Sequence, residues 1–205
     1  MSITGTDQSL NALTKDLNKI EINNENNKTI VSFAGLLMKL NTEEDAKPII
    51  DAIDSCEQLV TLNLEGNTLG INAGKGLGKS LESKTSLKNA LFNNLFTGRL
   101  KTEIPEVLMF VTTGIMLSDA RLKVLDLSDN AIGPVGMPSL LPFLQSPSCS
   151  TLEILRLNNC GLGVGGGQIL SKGLVNLKNL KTLICGRNRL EILGATAIGN
   201  ALAQY

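Results

Sequence analysis

At 205 residues the chain is long enough for one large domain or two small ones, and its 42% hydrophobic content excludes a disordered protein. Only 3% of it is aromatic, with no Trp and one Tyr, so the core must be aliphatic and suits narrow, regular layers. Nineteen basic residues balance nineteen acidic ones, which argues against a nucleic-acid footprint, and the complete absence of His removes Ser-His and Cys-His nucleophile pairs, the commonest general base and most zinc sites.

The chain opens on MSITGTDQSL, which lacks the charged-then-apolar pattern of a signal sequence. Residues 21–28, EINNENNK, read as a polar loop. Ile30, Val31 and Phe33 then supply a first strand, and residues 42–54 a first helix whose start is marked by Asn41-Thr42-Glu43-Glu44.

From residue 59 a pattern repeats. Leu59, Leu62, Leu64, Asn67 and Leu69 follow L-x-x-L-x-L-x-x-N/C-x-L, as do Leu122, Leu125, Leu127, Asn130 and Ile132. So do Leu152, Leu155, Leu157, Cys160 and Leu162, and again Leu180, Leu183, Cys185, Asn188 and Leu190. A degenerate copy runs through Leu87, Ala90 and Phe92, with Leu95 where Asn is expected. The second consensus positions, 62, 90, 125, 155 and 183, are separated by 28, 35, 30 and 28 residues. That length holds a strand, a loop and a full helix, with helices expected at 73–83, 137–145, 167–174 and 195–203. The fold class is therefore an α/β leucine-rich-repeat solenoid of the ribonuclease-inhibitor type, with parallel strands on the concave face and helices on the convex face. Residues 1–58 are expected to form an N-terminal cap and first irregular repeat, and 59–205 the repeats proper. The chain stops at Ala201-Leu202-Ala203-Gln204-Tyr205, within a repeat helix, so the last layer is expected to expose apolar surface that a longer solenoid or a partner would cover.

Two phosphate-binding patterns do not fit this frame. AGKGLGKS at 73–80 is a relaxed phosphate-loop match, but it begins nine residues after Leu64, inside an expected helix. Gly161-Leu162-Gly163-Val164-Gly165-Gly166 matches GxGxxG without an acidic residue at the required offset, and the repeat accounts for the same glycines. Cys56, Cys149, Cys160 and Cys185 form no CxxC pair and read as reduced thiols of a cytosolic protein. The longest apolar stretch, 107–117, is too short to span a bilayer.

The residue before each consensus Asn or Cys should project at one edge of the sheet, where Gly66, Asn94, Asp129, Asn159 and Arg187 would align at about 4.8 Å per repeat. The 35-residue step adds its extra length near FTGRLKTEIP at the same edge. Arg99 and Lys101 are accordingly expected close to Asp129 and Asn159, as a local positive patch on a neutral chain.

Residues 95–105 (LFTGRLKTEIP), 125–134 (LDLSDNAIGP), 157–167 (LNNCGLGVGGG) and 185–191 (CGRNRLE) resemble, in order and approximate spacing, the GTPase-activating proteins of the small GTPase Ran. The resemblance covers residues 59–203. It implies a regulator, not itself an enzyme, that makes GTP-bound Ran hydrolyse its nucleotide, serving nucleocytoplasmic transport from the cytoplasm or the nuclear envelope. GTP and Mg would be carried by the partner, with no cofactor, metal, nucleic acid or membrane bound by this chain. By motif, Asn159 corresponds to an asparagine that holds Ran's own glutamine, and Arg99 to the family's functionally important arginine, expected to anchor Ran or shape the site. Lys101, Asp129 and Arg187 are expected partner contacts. The family's crescent has further repeats and an acidic tail, and this chain has Ile192 where the family continues with Asn. The competing reading is a leucine-rich-repeat interaction module without GTPase-activating activity.

Overall fold

The computed structural model describes residues 29–204; the expected polar loop at 21–28 lies outside them. Six short strands form one parallel sheet in chain order: β1 (Ile30–Ser32), β3 (Thr61–Asn63), β5 (Asn89–Leu91), β6 (Val124–Asp126), β7 (Ile154–Arg156) and β8 (Thr182–Ile184). A second, two-stranded parallel sheet joins β2 (Lys39–Leu40) to β4 (Thr68–Leu69). Each strand of the main sheet leads to a helix: α1 (Glu43–Ser55), α2 (Ile71–Leu81), α3 (Ile104–Leu117), α4 (Gly133–Leu144), α5 (Gly163–Leu174) and α6 (Glu191–Leu202).

The consensus positions set the register. Leu62 pairs with Ala90, Ala90 with Leu125, Leu125 with Leu155 and Leu155 with Leu183, and Val31 extends the row by one layer. Leu62, Leu125 and Leu155 are buried, and each contributes about 1.5–3 kcal/mol by leaving water. Ala90 takes the same buried position in its layer, where Phe92 and Phe96 are also buried. Strands spaced at about 4.8 Å and helices that need about 8–10 Å cannot stack straight, so the helices take the outer, longer arc.

The consensus asparagines hold the layers together at the turn out of each strand. Asn67 donates to the carbonyls of Phe33 and Leu64 and accepts from the Met38 N–H. Asn130 donates to Phe92 and Leu127 and accepts from the N–H groups of Leu95 and Phe96. Asn188 repeats the arrangement with Leu157, Cys185, Cys160 and Leu162. In the remaining full copy the Cys160 thiol donates to the Leu127 carbonyl. Each amide thus pairs main-chain groups that the diverging strands no longer pair with one another.

The first helix starts where Thr42 predicts it, with a capping box: Thr42 accepts from the Asp45 N–H and Asp45 accepts from the Thr42 N–H. The other helices begin two to four residues earlier than the periodicity suggests, because Gly and Pro near their starts read as loop. The helix α3 was not among the segments expected, since its mixed Thr-Thr-Gly centre obscures the pattern. The glycines of AGKGLGKS lie within α2 and face neighbouring helices. A Cβ on Gly78 would meet the Phe110 carbonyl oxygen at 2.4 Å, and one on Gly114 would meet the Gly78 carbonyl oxygen at 2.0 Å. They allow close helix packing and leave no loop to wrap a phosphate.

Candidate functional site at the sheet edge

Past the end of each strand the chain enters a left-handed residue. The φ angles are +72° at Gly35, +74° at Gly66, +51° at Asn94, +57° at Asp129, +54° at Asn159 and +56° at Arg187. Gly, Asn and Asp tolerate this conformation best, which explains the composition of the row. Arg187 is the departure from that preference. The parallel ladder continues into these residues: the Asn94 N–H donates to the Ser128 carbonyl, Asp129 to Asn158, and Asn159 to Gly186. Equal backbone conformation in equal register sends their side chains out at one rim.

Asp129, Asn159 and Arg187 are exposed there. The Asn159 Nδ2 donates to Asp129 Oδ1 at 2.8 Å. Behind this pair, Asp126 accepts from the Ser128 N–H at 2.9 Å and from Arg156 Nη1 at 3.2 Å, and the Ser128 hydroxyl accepts from the Asn158 N–H at 3.3 Å. These bonds brace the two adjoining turns. The Asp126–Arg156 pair was absent from the sequence-based candidates, although its signal was there: LDL and LRL place opposite charges at one register position in successive copies. Next to Asn159, burial pushes the Cys160 thiol up to about 12, so it is a packed turn residue without thiolate character.

Arg99 does not go where the sequence suggests. The long loop is real: residues 92–103 take twelve positions between β5 and α3, against seven at 64–70 and six at 127–132, 157–162 and 185–190. The Arg99 guanidinium, however, turns toward the preceding repeats. Its Nε donates to Thr68 Oγ1 at 2.8 Å, Nη1 to Asn41 Oδ1 at 2.8 Å, and Nη2 to the carbonyls of Thr68 at 2.8 Å and Leu40 at 3.1 Å. Gly70 leaves the space it occupies, since a Cβ there would lie 2.7 Å from Arg99 Nη1. Four of its five donors are committed to the turns ahead of α1 and α2. The expected patch of Arg99 and Lys101 against Asp129 and Asn159 is therefore not formed by Arg99. Carbonyls at the end of the short β2–β4 sheet, that of Leu40 shared with the Gly70 N–H, take up its planar fork in place of Asp129. Lys101 and Arg187 are exposed and make no side-chain hydrogen bond or ion pair among the described residues.

Among the described residues no cluster of three or more His, Cys, Asp or Glu side chains could hold a metal ion, and no helix is long and apolar enough to cross a membrane. What the rim offers is a carboxamide bonded to a carboxylate and, one layer on, the exposed Arg187 guanidinium, on adjoining turns of one ladder.

A family model described as Leucine Rich repeat matches residues 121–141 and 148–171. Ran GTPase-activating protein 2 of Caenorhabditis elegans is 46% identical over 88% of the chain, which spans 20% of that protein. Ran GTPase-activating protein 1 of Xenopus laevis is 44% identical over 83% of the chain, which spans 31% of it. The ribonuclease inhibitor of Sus scrofa is 36% identical over 44% of the chain and 20% of its own length. The chain thus spans about a fifth to a third of the length of these relatives. In sequence the chain is homologous to the Ran GTPase-activating proteins over most of its length, and in fold it is a leucine-rich-repeat solenoid.

Proposed function

We propose that this chain acts on the small GTPase Ran in its GTP-bound form, as the part of a GTPase-activating protein that reaches the partner's active site. The observation that carries the reading is the match of 44–46% identity across 83–88% of the chain to proteins bearing that name. The geometry supports one mechanism over another. In GTPases of this class the attacking water is oriented by the GTPase's own glutamine. An activator can insert an arginine into the transition state, or it can hold that glutamine. Four of the Arg99 donors are spent within the chain, whereas Asn159 stands exposed with its Oδ1 unpaired among the described residues. Asn159 holding the glutamine is the reading that fits both. Arg99 shapes the long loop on which Lys101 sits, and Lys101, Asp129 and Arg187 flank the contact.

On this reading the chain has no cofactor of its own; GTP and Mg belong to the partner, and the protein works in the cytoplasm or at the nuclear envelope in nucleocytoplasmic transport. The test is single-turnover hydrolysis by Ran·GTP with the full-length protein. Acceleration is expected, and Asn159→Gly, which keeps the left-handed backbone unstrained, should lower the maximal rate far more than the affinity. Absence of acceleration by the unmodified protein would leave the interaction-module reading in its place.

A further inference from the structure

We propose that Asp129 is a positioning residue for Asn159: its carboxylate fixes which way the Asn159 carboxamide faces, and so presents the amide oxygen to the partner. This rests on the reading that Asn159 engages a glutamine of the GTPase, and it adds a residue that acts through Asn159.

An ionised carboxylate only accepts, so Asp129 Oδ1 can bond the Asn159 Nδ2 and never its Oδ1. An exposed asparagine without such a neighbour rotates freely between two nearly equivalent amide orientations. Here one orientation is selected, leaving Oδ1 and the second N–H to meet another amide, which offers an N–H and an oxygen in return. The selection is rigid because both residues sit on the same ladder. Their φ angles are +57° and +54°, and their N–H groups donate to Asn158 and Gly186. The turn that carries Asp129 is braced by the Ser128 N–H and Arg156 bonds to Asp126 and by the Asn158 N–H bond to the Ser128 hydroxyl. Asp129 makes no ion pair among the described residues, so no cation competes with Asn159 for it.

Asp129→Gly removes the carboxylate at a position where glycine is already used in the row, at Gly35 and Gly66, and so introduces no backbone strain. In single-turnover assays with Ran·GTP, Asp129→Gly should lower the maximal rate by about 10–100-fold with little change in half-saturation, as for a misoriented reacting group. Asp129→Asn can accept through its oxygen or donate through its own NH2, so it no longer selects one orientation and should recover only part of the rate lost in Asp129→Gly. A salt-dependent rise in half-saturation with the maximal rate unchanged, for both variants, would overturn the proposal and make Asp129 a direct contact. A second readout needs no partner: the Asn159 side-chain amide protons, followed by 15N-edited NMR. In the wild type, one of them should exchange slowly with water and be displaced from its position in a free asparagine. In Asp129→Gly both should exchange fast; unchanged resonances there would also overturn the proposal. If the unmodified protein fails to accelerate Ran, the functional reading falls, and the NMR comparison alone decides whether Asp129 holds the carboxamide.

Discussion

Replacing Asn130 by Ala separates the two kinds of asparagine in this fold. Asn130 is 1% exposed and makes four hydrogen bonds to main-chain groups of residues 92, 95, 96 and 127. The Leu127 carbonyl keeps a second donor, the Cys160 thiol at 3.1 Å. The N–H groups of Leu95 and Phe96 have no comparable substitute, because residue 95 is itself the apolar member of the asparagine column. Two buried donors without partners at about 1–3 kcal/mol each, with a smaller loss at the carbonyls, give about 3–5 kcal/mol. The control is Asn159→Gly, which removes one exposed side-chain bond and should cost below about 1 kcal/mol. Equilibrium urea unfolding measures both. At an unchanged slope of about 2 kcal/mol/M, the Asn130→Ala midpoint should fall by about 1.5–2.5 M and the Asn159→Gly midpoint by under about 0.5 M. Equal shifts for the two variants would refute the distinction between a layer-holding amide and a presented one.

Three further outcomes follow from the same contacts. Arg99→Lys should destabilise nearly as much as Arg99→Ala, by about 1–3 kcal/mol in urea unfolding, because an ammonium cannot span Thr68, Asn41 and Leu40 as the planar fork does; a neutral Lys variant would contradict the clamp. Glu153 accepts from Lys123 and Lys181, each at 2.7 Å, and these bonds bring its pKa down to about 2. Its folded value lies below the unfolded value of about 4.3, so its stabilisation is complete above that pH and is lost as pH falls toward 2. The urea midpoints of wild type and Glu153→Gln should therefore converge across that window, and a constant gap would contradict the pairing. Burial pushes the Cys149 and Cys160 thiols up to about 12, so in the native protein at neutral pH both should resist a thiol reagent that modifies them promptly in denaturant; rapid native labelling of Cys160 would show that the turn beside Asn159 opens.

The repeat was legible because each consensus residue has a fixed geometric duty. Positions 62, 90, 125, 155 and 183 pair directly across the sheet, and the row at 66, 94, 129, 159 and 187 shares one backbone conformation. Periodicity reports which residues recur at one place, and that suffices to bring Asp129 beside Asn159. It does not report which way a long side chain leans. Arg99 has the reach to go either way, and the choice depends on the carbonyls of Leu40 and Thr68, the Thr68 hydroxyl and the space at Gly70, residues about 30 and 60 positions away in sequence with no recurring pattern. The early helix starts escaped notice for a related reason. Gly133 and Gly163, at φ +59° and +60°, begin helices from a left-handed first residue, a glycine use that composition alone reads as loop.

The most direct test of the central claim is a structure of the full-length protein bound to Ran carrying a transition-state mimic of GTP hydrolysis. The account predicts the Asn159 carboxamide within about 3.2 Å of the Ran glutamine side chain, Asp129 still accepting from its Nδ2, and Arg99 still seated on Thr68 and Asn41. Arg99 released from those partners and lying against the transferred phosphate, with Asn159 out of reach of the glutamine, would contradict it.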